Sequence, residues 1–149
     1  MEMKPITITG KLYFSQSLHK KPMPPWITNE EDSRYEINLC NLDDATVKRL
    51  QTELNVKVKN KGDADKYERG NFIVIKSKFP FVVEDKDGNK LQGEQIGNGS
   101  VAELSIKSRE HALSKMHGYS PQAIGGRTRP HIVVSELVEV IEDSEDISL

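Results

Sequence analysis

The groups that could carry catalysis or bind a metal are few, and their spacing supports neither role. The four histidines are His19, His111, His117 and His131. His111 and His117 stand six residues apart, which does not place both on one helical face. No cysteine or carboxylate accompanies them at metal-ligand spacing. There is no Gly-x-Ser-x-Gly elbow, no phosphate loop and no Gly-rich dinucleotide turn. Ile96-Gly97-Asn98-Gly99-Ser100 is Gly-rich, but a strand pattern follows it, so its glycines are read as a tight turn. A hydrolase acting through His117 or His131 would have no nameable nucleophile or base. The sequence therefore predicts no enzyme, no metal and no cofactor.

A second chemistry is better supported. Holding a single nucleic-acid strand without reading its sequence needs cations that follow the phosphates and flat side chains on which bases stack. Lys76 and Lys78 share a parity on the strongest strand pattern, Lys107 and Arg109 leave the next long one, and Arg127 and Arg129 flank the last. Lys11, Lys20 and Lys21 lie near the other end of the chain. Aromatics interleave with these bases: Tyr13 and Phe14 after Lys11, Trp26 after Lys20-Lys21, Tyr35 after Arg34, and Phe79 and Phe81 beside Lys78. Phe14, Phe72 and Phe81 read first as core. The candidates for stacking are Trp26, Tyr35 and Phe79. Trp26, the only tryptophan, lies in the proline-rich run Lys20-Lys21-Pro22-Met23-Pro24-Pro25, where it either meets a base or packs that loop down.

Charge is unevenly distributed. The chain has 21 basic and 23 acidic residues, a net of −2. Glu142, Asp143, Glu145 and Asp146 sit in the last eight residues, and without them the body holds 21 bases against 19 acids. This end is too acidic and too poor in apolar residues to pack. Ile147 and Leu149 place two hydrophobes behind the charge run, a compact recognition peptide for a basic pocket with apolar walls. Such a tail can also compete with nucleic acid for a basic groove.

The elements that must position these residues are mostly strands. Residues 5–15 alternate, with Ile6, Ile8, Leu12 and Phe14 on one parity and Gly10 suggesting a bulge or bend. Residues 34–40 alternate with Tyr35, Ile37 and Leu39 on one face. Residues 43–54 read as the one helix, capped by Asp43, with Val47, Leu50 and Leu54 as its apolar stripe. Residues 57–70 read as mostly loop. Phe72 to Lys78 is rich in β-branched residues, Pro80 interrupts it, and Asp85-Lys86-Asp87-Gly88-Asn89 carries a hairpin signal. Residues 101–107 alternate, 109–129 read as a long polar loop, and 131–141 as the last strand. Without regular strand–helix alternation a parallel doubly wound sheet is not expected. The expected fold is mainly β: a five-stranded, OB-like antiparallel barrel over residues 1–141 with one helix, followed by a flexible acidic tail at 142–149.

A chain of 149 residues suits one domain able to build its own core. The single cysteine, Cys40, forms no intramolecular bridge, which fits a reducing compartment. No apolar run approaches membrane-spanning length and no signal peptide precedes the first strand, so a cytoplasmic location is expected.

Phe79-Pro80-Phe81-Val82-Val83-Glu84-Asp85-Lys86-Asp87-Gly88-Asn89-Lys90-Leu91 resembles the central segment of the single-stranded DNA-binding proteins of short-tailed lytic phages. Ile96-Gly97-Asn98-Gly99-Ser100 is similar to the turn leading into that family's next barrel strand, and Val133-Val134-Ser135-Glu136-Leu137-Val138-Glu139 to its last strand ahead of an acidic tail. The resemblance covers about residues 70–149, and the loop 109–129 departs from it in offering only Tyr119 where the family pairs Tyr with Trp. It implies an OB-fold replication and recombination accessory protein in the cytoplasm of the infected bacterial host. Such a protein binds single-stranded DNA, forms homodimers in which the tail takes part, and contacts a phage DNA polymerase or helicase-primase through that tail. The alternative is a β-barrel protein-interaction or virion module without nucleic-acid binding.

Overall fold

The computed structural model describes residues 4–14, 33–92, 95–109, 118–125 and 130–138. Among these, β1 (Ile6–Tyr13) shows the two-residue period of a half-buried strand, with Ile6, Ile8 and Leu12 inward and Thr7, Thr9 and Lys11 outward. β2 (Tyr35–Cys40) and β3 (Ile73–Ser77) follow in the sheet, then β4 (Val83–Asp85) and β5 (Lys90–Leu91) as a hairpin. β6 (Val101–Arg109) is the longest strand, and β7 (Ser120–Ala123) and β8 (Ile132–Glu136) close the series. Neighbours run β3-β2-β1-β6-β8-β4-β5, with β7 also paired to β6.

The expected mainly β, OB-like architecture is present, with two corrections. The described residues hold eight strands rather than five. The strand that begins at Ile73 ends at Ser77 and does not resume until Val83, beyond Pro80, the Asp-Gly turn adds a separate hairpin, and β7 lies inside the stretch read as a loop from 109 to 129. β7 and β8 share one edge of β6: Ile106 pairs with Ile6 and Ala123, and Leu104 with Ile8 and Ile132. The pairing is also not wholly antiparallel, since β4 runs parallel to β8. The sheet curls until β3 lies alongside β7.

Inside this curl sit Ile6, Ile8, Leu12, Ile37, Leu39, Ile73, Ile75, Leu104, Ile106 and Ile132, all buried. Truncating a residue such as Ile37, 1% exposed, to alanine costs about 2–5 kcal/mol of stability. Gly10 makes no bulge. Its register with Ala102 is continuous, and a Cβ there would lie 2.9 Å from both the Cys40 carbonyl oxygen and Leu39 Cγ. Close approach of β2 is what requires glycine.

The helix α1 (Asp44–Leu54) forms where its capping residue and apolar spacing predict one. Asp43 caps it, its Oδ1 accepting the Thr46 amide at 2.7 Å, and Leu50 and Leu54 are buried. Hydrogen bonds from Thr46 hold the Asp43 carboxyl below its ordinary value. Asn55 ends the helix in a left-handed conformation, φ 51°. The Ser108 hydroxyl donates to the Leu54 carbonyl and ties this helix end to β6. No helix among the described residues is long and apolar enough to cross a membrane.

Candidate nucleic-acid interface

The sharp exit from α1 determines where the next residues go. Residues 56–59 run between two neighbours. The Tyr119 amide donates to the Asn55 carbonyl at 2.7 Å and the Lys57 amide to the Tyr119 carbonyl at 3.1 Å. On the other side Lys59 and Phe72 exchange backbone hydrogen bonds of 2.8 and 2.9 Å. Lys57 and Lys59 are thus sewn between the start of β7 and the start of β3. Gly118 permits the approach: at φ 98° a Cβ would lie 3.0 Å from Lys57 Cβ.

Between these elements lies a groove of about 1080 Å³. Lys76 and Lys78 line it from β3 and its exit, Lys57 and Lys59 from the segment after α1, Lys90 from β5, and Arg34 from the approach to β2. Among the described residues the one acid in its lining is Glu84, which stands opposite Lys90 in the β4–β5 ladder. Lys76 Nζ lies 4.0 Å from Glu36 Oε1 in an exposed pair of little strength. Lys57, Lys59, Lys78 and Lys90 have no carboxylate partner among the described residues. Close like charges in a concave wall raise the local anion concentration.

Phe79 stands at this wall 73% exposed, which water penalises in a large apolar ring. Its amide is held by the Ser77 hydroxyl at 3.1 Å, and Pro80 follows, so the backbone that carries the ring is fixed. Phe81 turns the other way into the core. His131 is structural: its Nδ1 accepts the Val82 amide at 3.0 Å, its ring meets Phe81 edge-on at 5.6 Å, and burial pushes its pKa below the ordinary value. In the neutral form it can accept that bond. Among the described residues no cluster of His, Cys, Asp and Glu could hold a metal ion.

The residues singled out from the sequence fall in several places. Lys76, Lys78 and Phe79 come together in the groove. Lys107 is exposed on β6 opposite Gln122, and Arg109 holds the strand position opposite Ser120. Both of these β7 partners line the groove, so Lys107 and Arg109 stand one strand beyond it. Tyr35 packs against the core and does not line the groove. Lys11 lies on the outer face of β1, paired with Cys40 and Val101. Trp26, Arg127, Arg129 and the tail residues Glu142, Asp143, Glu145, Asp146, Ile147 and Leu149 lie outside the described residues. Arg34, Lys57, Lys59 and Lys90 are groove residues that the sequence candidates omit. The alternation Lys57-Val58-Lys59, with Val58 packed inward, is the strand-like signal that identifies two of them.

Solved structures share this architecture. A single-stranded DNA-binding protein from bacteriophage Enc34, in complex with single-stranded DNA, aligns with a TM-score of 0.59 at 13% identity, over 91% of this chain and 89% of its own. The gp2.5 protein, a single-stranded DNA-binding protein encoded by bacteriophage T7, aligns over 100% of this chain and 99% of its own, with a TM-score of 0.55 and 14% identity. The fold is that of phage single-stranded DNA-binding proteins. A C-terminal truncation of the Enc34 protein aligns with a TM-score of 0.51 at 14% identity, over 91% of this chain and 85% of its own. No family model and no curated protein matches the sequence. The likeness in fold reaches well before residue 70, where the sequence resemblance begins.

Proposed function

We propose that this protein binds single-stranded DNA in the groove between β3, β5 and β7, without reading base sequence. The observation that carries this reading is the convergence of Arg34, Lys57, Lys59, Lys76, Lys78 and Lys90, with Glu84 the one acid among the described lining residues, beside the exposed ring of Phe79. Cations would hold successive phosphates while Phe79 stacks on a base. The phage proteins that share the fold, one of them with single-stranded DNA bound, support the choice of ligand. Among the described residues of the groove His131 holds the Val82 backbone, and we assign no catalysis to it.

Fluorescence anisotropy of labelled oligo-dT and of matching duplex, over a range of salt, tests the assignment. The single strand binds preferentially, and log K falls against log salt with a slope of about −0.7 per phosphate neutralised. Absence of binding to either at low salt would leave a protein-interaction module as the function.

The finer reading extends to the tail. Residues 142–149 recruit a phage DNA polymerase or helicase-primase during replication and recombination in the bacterial host, and weaken DNA binding while attached. Deleting them tightens DNA affinity and abolishes partner binding; unchanged behaviour in both assays sinks the tail assignment. The homodimer is part of the same proposal, and sedimentation of the full and truncated chains measures it.

A further inference from the structure

A second aromatic surface lies on the outer face of the same sheet, beyond the groove. Tyr67 is 41% exposed, and the Phe14 ring meets it edge-on at 4.8 Å. Below them Arg69 is buried, its guanidinium 4.0 Å from the Phe72 ring centroid, 5.5 Å from that of Phe14 and 5.8 Å from that of Tyr67. Lys66 Nζ sits 5.0 Å from the Tyr67 centroid.

This surface is built rather than incidental. Arg69 Nε donates to Asp65 Oδ2 at 2.9 Å and its Nη1 to Asn38 Oδ1 at 3.2 Å, all three side chains being buried. The Asp65 carboxylate also accepts the Tyr67 amide at 3.0 Å. Burial opposes its charge, but these hydrogen bonds outweigh that and hold its carboxyl below the ordinary value. The end of β2 clamps the same segment, Asn41 Nδ2 donating to the Glu68 carbonyl at 2.9 Å and its amide to the Arg69 carbonyl at 2.7 Å. Phe14 and Glu68 are both held at positive φ, 57° and 52°, which side chains disfavour. Such strain persists where surrounding structure enforces it, and it clusters at functional sites. Here it turns Phe14 out of the inward parity of β1 and leaves Tyr67 at the surface.

The surface is continuous with the groove. Asn38, which anchors Arg69, is the ladder partner of Val74, and Val74 lines the groove. Tyr13, immediately before Phe14, is the partner of Asn38 on its other side. Two strand spacings, about 10 Å, separate β3 from β1. Lys59, in the groove, is bridged to Phe72, on which Arg69 rests.

We propose that Tyr67, supported by Phe14 and Arg69, is a second stacking platform that receives a base of a single strand running out of the groove across β3 and β2. The proposal rests on the single-strand reading of the groove. Lys66 would shift from the ring to the adjoining phosphate as the base arrives.

The test compares labelled dT strands of about 4 and about 16 nucleotides, the range of a single OB fold. Tyr67→Ala weakens binding of the long strand by about tenfold, the effect of one stacked base, and leaves the short strand unchanged. Tyr67→Phe, which keeps the ring, binds both as the parent does. A long strand carrying 5-iodouracil photocrosslinks to Tyr67 in the unaltered protein. Equal affinity of Tyr67→Ala and parent for the long strand, with no crosslink, overturns the platform while leaving the groove intact. Equal loss for both strands also overturns it, because Tyr67 would then act through the fold of the groove. Failure of the parent to bind either strand removes the groove reading, and the platform with it.

Discussion

The Lys57 amide donates to the Tyr119 carbonyl across 3.1 Å, joining the segment after the helix to the start of β7. Together with the Lys59–Phe72 pair, that bond brings two lysines from a charged connecting stretch to the cations of β3. Both lysines lie at the surface of the groove, so their contribution to folding is small and their contribution to a bound polyanion is direct. Replacing Lys57 and Lys59 together with alanine leaves the melting temperature nearly unchanged. It weakens oligo-dT binding and makes the salt slope shallower by about 0.7 for each phosphate no longer neutralised. Anisotropy at several salt concentrations measures both effects.

Gly118 makes that junction possible. An alanine there would combine a positive φ of 98° with a Cβ 3.0 Å from Lys57 Cβ and 3.1 Å from its backbone nitrogen. Backbone strain of this kind costs about 1–3 kcal/mol, and relief would come from moving the 55–59 segment away from β7. Gly118→Ala therefore lowers stability in urea and reduces DNA affinity at the same time. Gly88→Ala, at φ 85° in the hairpin turn with open space around it, lowers stability without the loss of affinity.

Phe79 separates binding from folding in the opposite sense. At 73% exposure it adds little to the core. Phe79→Ala changes stability by less than about 0.5 kcal/mol. If the ring stacks on a base, the same change weakens single-strand binding by about 1–3 kcal/mol. Unaltered affinity in the titration would remove Phe79 from the interface.

His131 predicts a pH dependence. Burial lowers its pKa in the folded protein below the ordinary 6.5, so the unfolded chain takes up a proton first as pH falls. Stability is at its full value above about pH 6.5 and declines as pH drops through that value towards the folded pKa. Asp43, Asp65 and Asp85 are likewise held below their ordinary 3.8, and their contributions are lost in a separate window, as pH falls through 3.8 and below. Thermal melts at stepped pH resolve the two windows. His131→Gln, which does not titrate, flattens the upper one and leaves the lower one in place.

Local patterns in the chain are enough to specify most of the elements. The alternation of Ile6, Ile8 and Leu12 specifies β1, because a strand with one buried face must place every second residue inward. Asp43 and the spacing of Leu50 and Leu54 specify α1 almost to the residue. Asp85 and Gly88 specify the hairpin, in which the Asp85 carboxylate accepts the Asp87 and Asn89 amides, both at 2.9 Å. Lys76, Lys78 and Phe79 are recognisable because two cations of one parity with an aromatic directly after them need no knowledge of neighbouring strands.

Interactions distant in sequence decided the rest. Phe14 follows the inward parity of β1 in the sequence, yet its positive φ takes it to Tyr67, far along the chain. The pairing of β7 with β6 is invisible in a polar, proline-containing stretch, since Ser120 and Pro121 become a strand only when β6 offers its free edge. Arg34, Lys57, Lys59 and Lys90 come from separate segments, and no spacing along the chain relates those segments. Residue type and period determine which side chains face inward or outward, because that depends on the local backbone. Which outward cations share a groove depends on how the sheet curls, and that is settled by long-range packing.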